Sequence, residues 1–498
     1  MNILLFSMPD SSEHTPAVSM RMPNGALSSL AGNIDSHHQI AVADLILAEN
    51  GVRATVEDLM EKIQPDLVGL SVMTFQRKTA KAIIRLLRSL RPNVRIVVGG
   101  YDPSMAPEAY TDDTDNFVDF IVRGEGEATF RALLRALESE SGYEWISGLS
   151  VREEGGFRHN ADRTVSNLKS EEIRLPNRKA RILHGYTMLG RQVDVVETSR
   201  GCTFDCSFCS IIAMRGRQFY TYSLDRVLAD IRDAYNHGAR AIFLIDDNIT
   251  LNVRRFEALC QAIIAGGLNR VDYTVQAMTS AIANHSETLV PLMRQAGFRY
   301  VFLGIENILE ADLNFLRASS KNAQRENGRR VGNATLRAIA ALHQHNMYVV
   351  GGLIVGTPGD TRESVEANLQ FARRYVDWPY IQHPTPYPRT PMAKDFRDRG
   401  LITDEQPENY DGITAVVRND HLAAEEIEFL RWRAERWMKV RHLAPVFFHS
   451  PLFVMRNGAK MLAHTFRGVT LKTLLGLEDE RTAYARYRAI RQAERVYL

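Results

Sequence analysis

Short apolar runs alternate with helix-patterned segments along two long stretches of this chain, and that alternation limits the fold more than any other feature. Strands separated by helices pair in parallel, and strands covered on both faces become near-continuous apolar runs. Between residue 2 and about residue 137 the order is NILLF, a helix-like IAVADLILAENG, DLVGLSVMTF, a helix through KAIIRLLRSL, RIVVGG, DFIVRGEGE and the helix ATFRALLRAL. This pattern predicts a doubly wound α/β domain over 1–140. Ligands of such sheets sit beyond the carboxyl ends of the strands, which here carry Ser71 and Thr74, Gly99 and Gly100, and Gly124, Glu125 and Gly126. Turn formation alone accounts for any one of these glycine pairs. Three such loops at successive strand ends favour a ligand site. No G-x-G-x-x-G follows the first strand and no P-loop lysine is present, which disfavours a dinucleotide or a nucleoside triphosphate. Residues 141–185 contain a hairpin pattern turning at Gly155-Gly156 and a charged connector, and are expected to be a linker.

The second alternation, within 186–395, gives six strands: VDVVE, AIFLIDDN, VDYTVQAM, YVFLGIEN, YVVGGLIVG and YIQHPTPY. With their helices they predict a partial (β/α)6 barrel, followed by a mostly helical extension over 396–498. The first of these strands runs into SRGCTFDCSFC, which puts Cys202, Cys206 and Cys209 at a carboxyl end, where parallel barrels keep their chemistry. Three thiolates with three and two intervening residues can hold three corners of a [4Fe–4S] cluster and leave one iron open. The alternatives are zinc, which normally takes four protein ligands or three and a water, and a redox or accidental cluster. The fourth cysteine, Cys260, lies in helix-patterned RRFEALCQAIIAGG and reads as a buried free thiol. Polar residues recur at the later strand ends: Asp246 and Asp247, Gln276, Glu306, and the turn Gly356-Thr357. Singly, each also reads as a loop polar group or a helix cap.

At 498 residues the chain calls for two or three cores. A formal charge of +2 without clustered cations and aromatics gives no reason to expect nucleic acid. No apolar run approaches a membrane span, and MNILLFSMPDSS lacks the basic start of a signal peptide. A cytoplasmic, reducing setting is therefore expected, with thiols serving metal, redox chemistry or burial. The segment HLAPVFFHSPLFVMRNGAKMLAHTFRGVTLKTLLGL is apolar and basic; it packs on its own barrel or makes a peripheral membrane contact.

On SVMT, VVGG and VRGEGE, the first 140 residues resemble a Rossmann-like cobalamin-binding domain. The spacing C-x-x-x-C-x-φ-C, with Phe208 in the aromatic place, resembles the signature of radical S-adenosylmethionine (SAM) enzymes. Together with the C-terminal pattern, the chain resembles the cobalamin-dependent subgroup that includes anaerobic Mg-protoporphyrin monomethyl ester cyclases and hopanoid methylases. The resemblance implies a [4Fe–4S] cluster on the three cysteines. It implies SAM contacts from Phe208, Asp246, Asp247, Gln276, Glu306 and Gly356. It also implies cobalamin contacts from Ser71, Thr74, Gly99, Gly100, Gly124, Glu125 and Gly126. The subgroup's lower-ligand motif Asp-x-His-x-x-Gly is matched only at Asp35 and His37, with Ile40 in place of glycine, so no protein histidine is expected on cobalt. Where relatives carry Gly-Gly-Glu this chain has IDDN, and which aspartate serves is open. The chemistry implied is generation of a 5′-deoxyadenosyl radical and methylation of an unactivated carbon on an apolar lipid, isoprenoid or tetrapyrrole, with a flavodoxin or ferredoxin as electron donor. Two alternatives stand: a ring-forming, ring-contracting or oxidative cyclase reaction that uses cobalamin without methyl transfer, and a corrinoid- or metal-binding regulatory module without turnover. Tyr387 and Tyr410 are candidate hydrogen donors, but structural tyrosine is the simpler reading of each, and no catalytic residue is assigned.

Overall fold

The computed structural model describes residues 1–10, 19–48, 51–111, 118–165, 168, 172–326 and 329–495. Its first sheet runs in the order Gln39–Asp44, Asn2–Ser7, Leu67–Ser71, Arg95–Gly99, Phe120–Val122, Leu149–Glu153, Gly156–His159. The first five strands are parallel and the last two antiparallel. Ile3 and Leu5 enter one apolar cluster while Leu4 and Phe6 enter another, so both faces of the strand are covered, as near-continuous apolar strands require. Helix Arg77–Leu90 buries Ala80, Ile83, Ile84 and Leu87, one stripe at helical spacing.

Two expectations are corrected here. IAVAD is a strand rather than a helix, because a short run of apolar residues fits either period and its parallel pairing with Asn2–Ser7 decides. The crossover helix before it is Gly25–Gly32, capped by the Asn24 side chain accepting from the Leu27 N–H. The hairpin expected in the linker instead extends the first sheet by two antiparallel strands.

The second sheet contains six parallel strands in chain order: Arg191–Val196, Ala241–Leu244, Asp272–Met278, Phe298–Glu306, Tyr348–Ile354 and Trp378–Gln382. These are the six that the alternation predicts. Thr187–Met188 and, from the N-terminal part, Met20–Arg21 extend its first edge antiparallel, so the two halves of the chain share a sheet. Cys260 is fully buried in helix Val253–Ala265, as expected of a structural thiol. Helix Ala424–His449 packs on helix Arg362–Tyr375 and strand Trp378–Gln382. Among the described residues no helix is long and apolar enough to cross a membrane.

Candidate active site

Strand Arg191–Val196 delivers the chain into the cysteine loop. Gly201 has φ +86°, and a Cβ there would lie 2.3 Å from the Gln218 carbonyl oxygen, so glycine alone permits this entry. Cys206 is buried among Leu313, Met392 and Phe396, with Phe204, Phe208, Cys209 and Tyr387 against the same cluster. Burial pushes the Cys206 thiol up to about 11 and the Cys209 thiol to about 12, against the opposing charge of Lys321. Thiols so placed are inert until a cationic ligand set deprotonates them, which is what a metal cluster does. Three thiols with three and two intervening residues suit three corners of a [4Fe–4S] cluster. Asn248 Nδ2 lies 3.9 Å from Cys202 Sγ.

The later strand ends converge on the same region. Glu306 closes strand Phe298–Glu306 with φ +61°, a left-handed conformation costly outside glycine, and its carboxylate accepts from Lys321 Nζ at 2.8 Å. Burial works against the Lys321 ammonium, but the Glu306 carboxylate outweighs it and holds it charged. Asp246 is fully engaged: it accepts from the Thr198 N–H at 2.6 Å and from the Thr198 and Ser199 hydroxyls at 2.5 Å. Asp247 accepts from the Gly201 N–H at 2.7 Å and from Arg215 at 2.5 Å. Gln276 is half-buried in its strand. Gly356 has φ +99° with a would-be Cβ 2.7 Å from Ile427, and the Gly356 and Thr357 N–H groups both donate to Asp360. Tyr387 donates to the Tyr410 carbonyl at 3.2 Å, which occupies its phenol in a structural bond.

A cavity of about 400 Å³ opens where the carboxyl ends of the two sheets meet. The first domain lines it with Ser71, Gly99, Gly100, Gly124, Glu125 and Gly126, and the second with Glu197, Arg200, Arg215 and Asp247. The three cysteines, Thr74, Phe208, Asp246, Gln276, Glu306 and Gly356 lie outside that lining. Gly124 is the cradle position: a Cβ there would meet only the Met214 carbonyl oxygen at 3.9 Å. Gly100 has a different reason to be glycine, since a Cβ would come within 2.8 Å of Val72 backbone. His37 and His38 sit at the amino-terminal edge of the sheet, where His37 Nε2 meets Glu138 at 2.9 Å and Asp35 pairs with Arg135. Both histidines thus lie at the opposite end of the strands from the glycine loops.

Sequence reasoning missed the charges that join the two halves. Arg200, buried one place before Gly201, pairs with Glu125, with Glu127 at 2.6 Å and with Glu197 at 2.8 Å. Arg215 pairs with Glu125 at 3.0 Å and Asp247 at 2.5 Å. Burial raises Glu127, but the Arg200 guanidinium and hydrogen bonds from Arg200 and Ser29 outweigh it and hold its carboxyl down at about 2. Arg200 and Glu127 both stand inside quoted motifs. The available signal was a charge at the end of an apolar strand matched by the second acid of GEGE.

The glycine loops of the first sheet and the first strand ends of the barrel that carries the three cysteines line one cavity. The chain matches the B12 binding domain over residues 19–134 and the radical SAM superfamily over 196–372. It belongs to the radical SAM superfamily, in the group that carries a cobalamin-binding domain ahead of the barrel, and it is an enzyme. An uncharacterized methyltransferase of Pyrococcus horikoshii is 27% identical over 94% of this chain and 99% of its own. The anaerobic magnesium-protoporphyrin IX monomethyl ester cyclase of Cereibacter sphaeroides is 25% identical over 81% of this chain and 63% of its own. The solved structure of the cobalamin-dependent radical enzyme OxsB, with aqua-cobalamin and SAM bound, shares the fold at a TM-score of 0.65 and 18% identity, covering 99% of this chain and 70% of that one.

Proposed function

We propose that this enzyme methylates an unactivated carbon of a largely apolar small molecule. The reading rests on one observation: the Arg200 bridge holds the glycine loops of the first domain directly against the cysteine loop of the second, so both halves face one cavity. Cys202, Cys206 and Cys209 would hold the [4Fe–4S] cluster. Ser71, Gly99, Gly100, Gly124, Glu125 and Gly126 would receive cobalamin, with Thr74 closing the turn behind Ser71. Phe208, Asp247, Gln276, Glu306 and Gly356 would bind SAM, Asp246 serving instead to hold the Thr198-Ser199 turn. When bound, these groups supply a 5′-deoxyadenosyl radical and a transferable methyl group. The chain's own part is position and dryness. The Glu306–Lys321 pair fixes a carboxylate beside Cys206, and Phe204, Phe208 and Phe315 place apolar surface around Cys206 and Cys209.

The similarity to a methyltransferase over nearly the whole of both chains supports methyl transfer. The cyclase similarity favours a second reading, in which the substrate radical closes a ring and no methyl is added. A flavodoxin or ferredoxin would supply the electron. The test uses anaerobically purified protein reconstituted with iron, sulfide and cobalamin, then reduced and given SAM with a panel of isoprenoid lipids and tetrapyrrole esters. Deoxyadenosine and a product one methyl heavier, both lost in the Cys202→Ala/Cys206→Ala/Cys209→Ala variant, are expected. A product without the added methyl, changed only by loss of hydrogen or gain of oxygen from water, would establish the cyclase reading, and no deoxyadenosine from cluster-loaded protein would overturn both.

A further inference from the structure

The C-terminal helices leave an apolar, cationic face uncovered that nothing in the active site uses. Helix Pro451–Thr465 buries Phe453 and Met461 against Tyr186, Met188, Tyr300 and Val446. Its opposite face carries Leu452, Met455, Arg456, Ala459 and Lys460, all exposed and one or two turns apart on the same side. The end of helix Ala424–His449 adds Phe448, which is 83% exposed, beside Leu452 at 67% and Met455 at 74%. Exposure of this kind continues at Leu471, Leu475 and Leu477 around Lys472. Single exposed leucines are ordinary, but a run of large side chains on one helix and its turn marks a contact surface.

Charge selects the partner. The whole chain is nearly balanced, with 61 Lys and Arg against 59 Asp and Glu, yet the sequence from Arg441 to Leu477 contains five cations and no acid. A second copy of this face would set Arg456 and Lys460 against their own equivalents, because a two-fold interface brings like patches together. An anionic bilayer surface complements both properties: acyl chains take the apolar residues and headgroups take the cations. We infer that the helix Pro451–Thr465 and the turn before it seat the enzyme on an anionic membrane surface, lying in the interface rather than crossing it.

The test is co-sedimentation of the holoenzyme with vesicles of phosphatidylcholine plus phosphatidylglycerol and with vesicles of phosphatidylcholine alone. Binding to the mixed vesicles is expected, reduced about tenfold or more on the neutral ones and in Arg456→Gln/Lys460→Gln, at roughly 1 kcal/mol per cation. Phe448→Ser/Leu452→Ser/Met455→Ser should abolish it while the corrinoid absorption spectrum, a check on folding, stays unchanged. No binding to mixed vesicles, or binding that both variants retain, overturns the inference. So does a concentration-dependent dimer in sedimentation velocity that the serine variant dissolves without any vesicle binding by the wild type. Turnover plays no part in the readout, so failure here leaves the methyl-transfer reading untouched.

Discussion

Replacing Arg200 with methionine removes the cation from a nearly water-free group of carboxylates. Glu125 keeps Arg215 at 3.0 Å, but Glu127 keeps no cation, only the Ser29 hydroxyl at 2.7 Å and a bond from its own backbone N–H. Breaking a buried pair by removing one partner costs about 3 to 5 kcal/mol, because the charge left behind has lost its water and its counterion. The depression of Glu127 agrees in direction: burial raises its carboxyl, and the Arg200 guanidinium outweighs that and holds it charged. Its sign is that of a carboxylate with a lowered folded value. The contribution is complete above 4.5 and is lost as pH falls through about 2. Urea unfolding followed by circular dichroism at neutral pH should therefore show Arg200→Met less stable by about 3 to 5 kcal/mol, with the gap to wild type narrowing at acid pH. Arg200→Met/Glu127→Gln should recover most of the loss, since no unpaired charge remains. A loss under about 1 kcal/mol, or a double variant no better than the single, would refute the bridge as a buried, desolvated joint.

Three further perturbations read other parts of the site. Gly201→Ala forces a Cβ to within 2.3 Å of a carbonyl at φ +86°, so iron bound per chain after reconstitution should fall far below wild type; normal iron content would show that the loop yields. Lys321→Met leaves Glu306 without its 2.8 Å partner and should weaken SAM binding about tenfold, or about 1.4 kcal/mol, in anaerobic calorimetry with cluster content preserved. Equal affinity would remove Lys321 from the site. His442, edge-on to Trp378 at 4.2 Å, is pushed down by burial from 6.5 to about 4. Its neutral ring favours the folded state above 6.5, and that contribution, about 3 kcal/mol, is lost as pH drops toward 4. His442→Phe should flatten the acid side of the stability profile by that amount, and parallel profiles would argue against it.

The residues legible in the sequence were those whose role is local. The cysteine spacing, the glycine loops and the six barrel strands are each set by neighbours within a few positions, so period and spacing display them. IAVAD failed because four apolar residues in a row satisfy both periods, and only its pairing with Asn2–Ser7, far away in the chain, chooses the strand. The joint failed for the same reason at larger scale. Arg200 and Glu127 are 73 positions apart, and nothing near either one announces the other. Lys321 likewise reaches Glu306 across 15 positions from a segment with no motif. A charge buried at a strand end must have a partner, so the place to look is the nearest acid-bearing loop of the other domain. Here that rule leads from SRGC to GEGE. The bridge that satisfies the buried arginine is also the contact that sets the glycine loops of the first domain against the strand end leading to the cysteines.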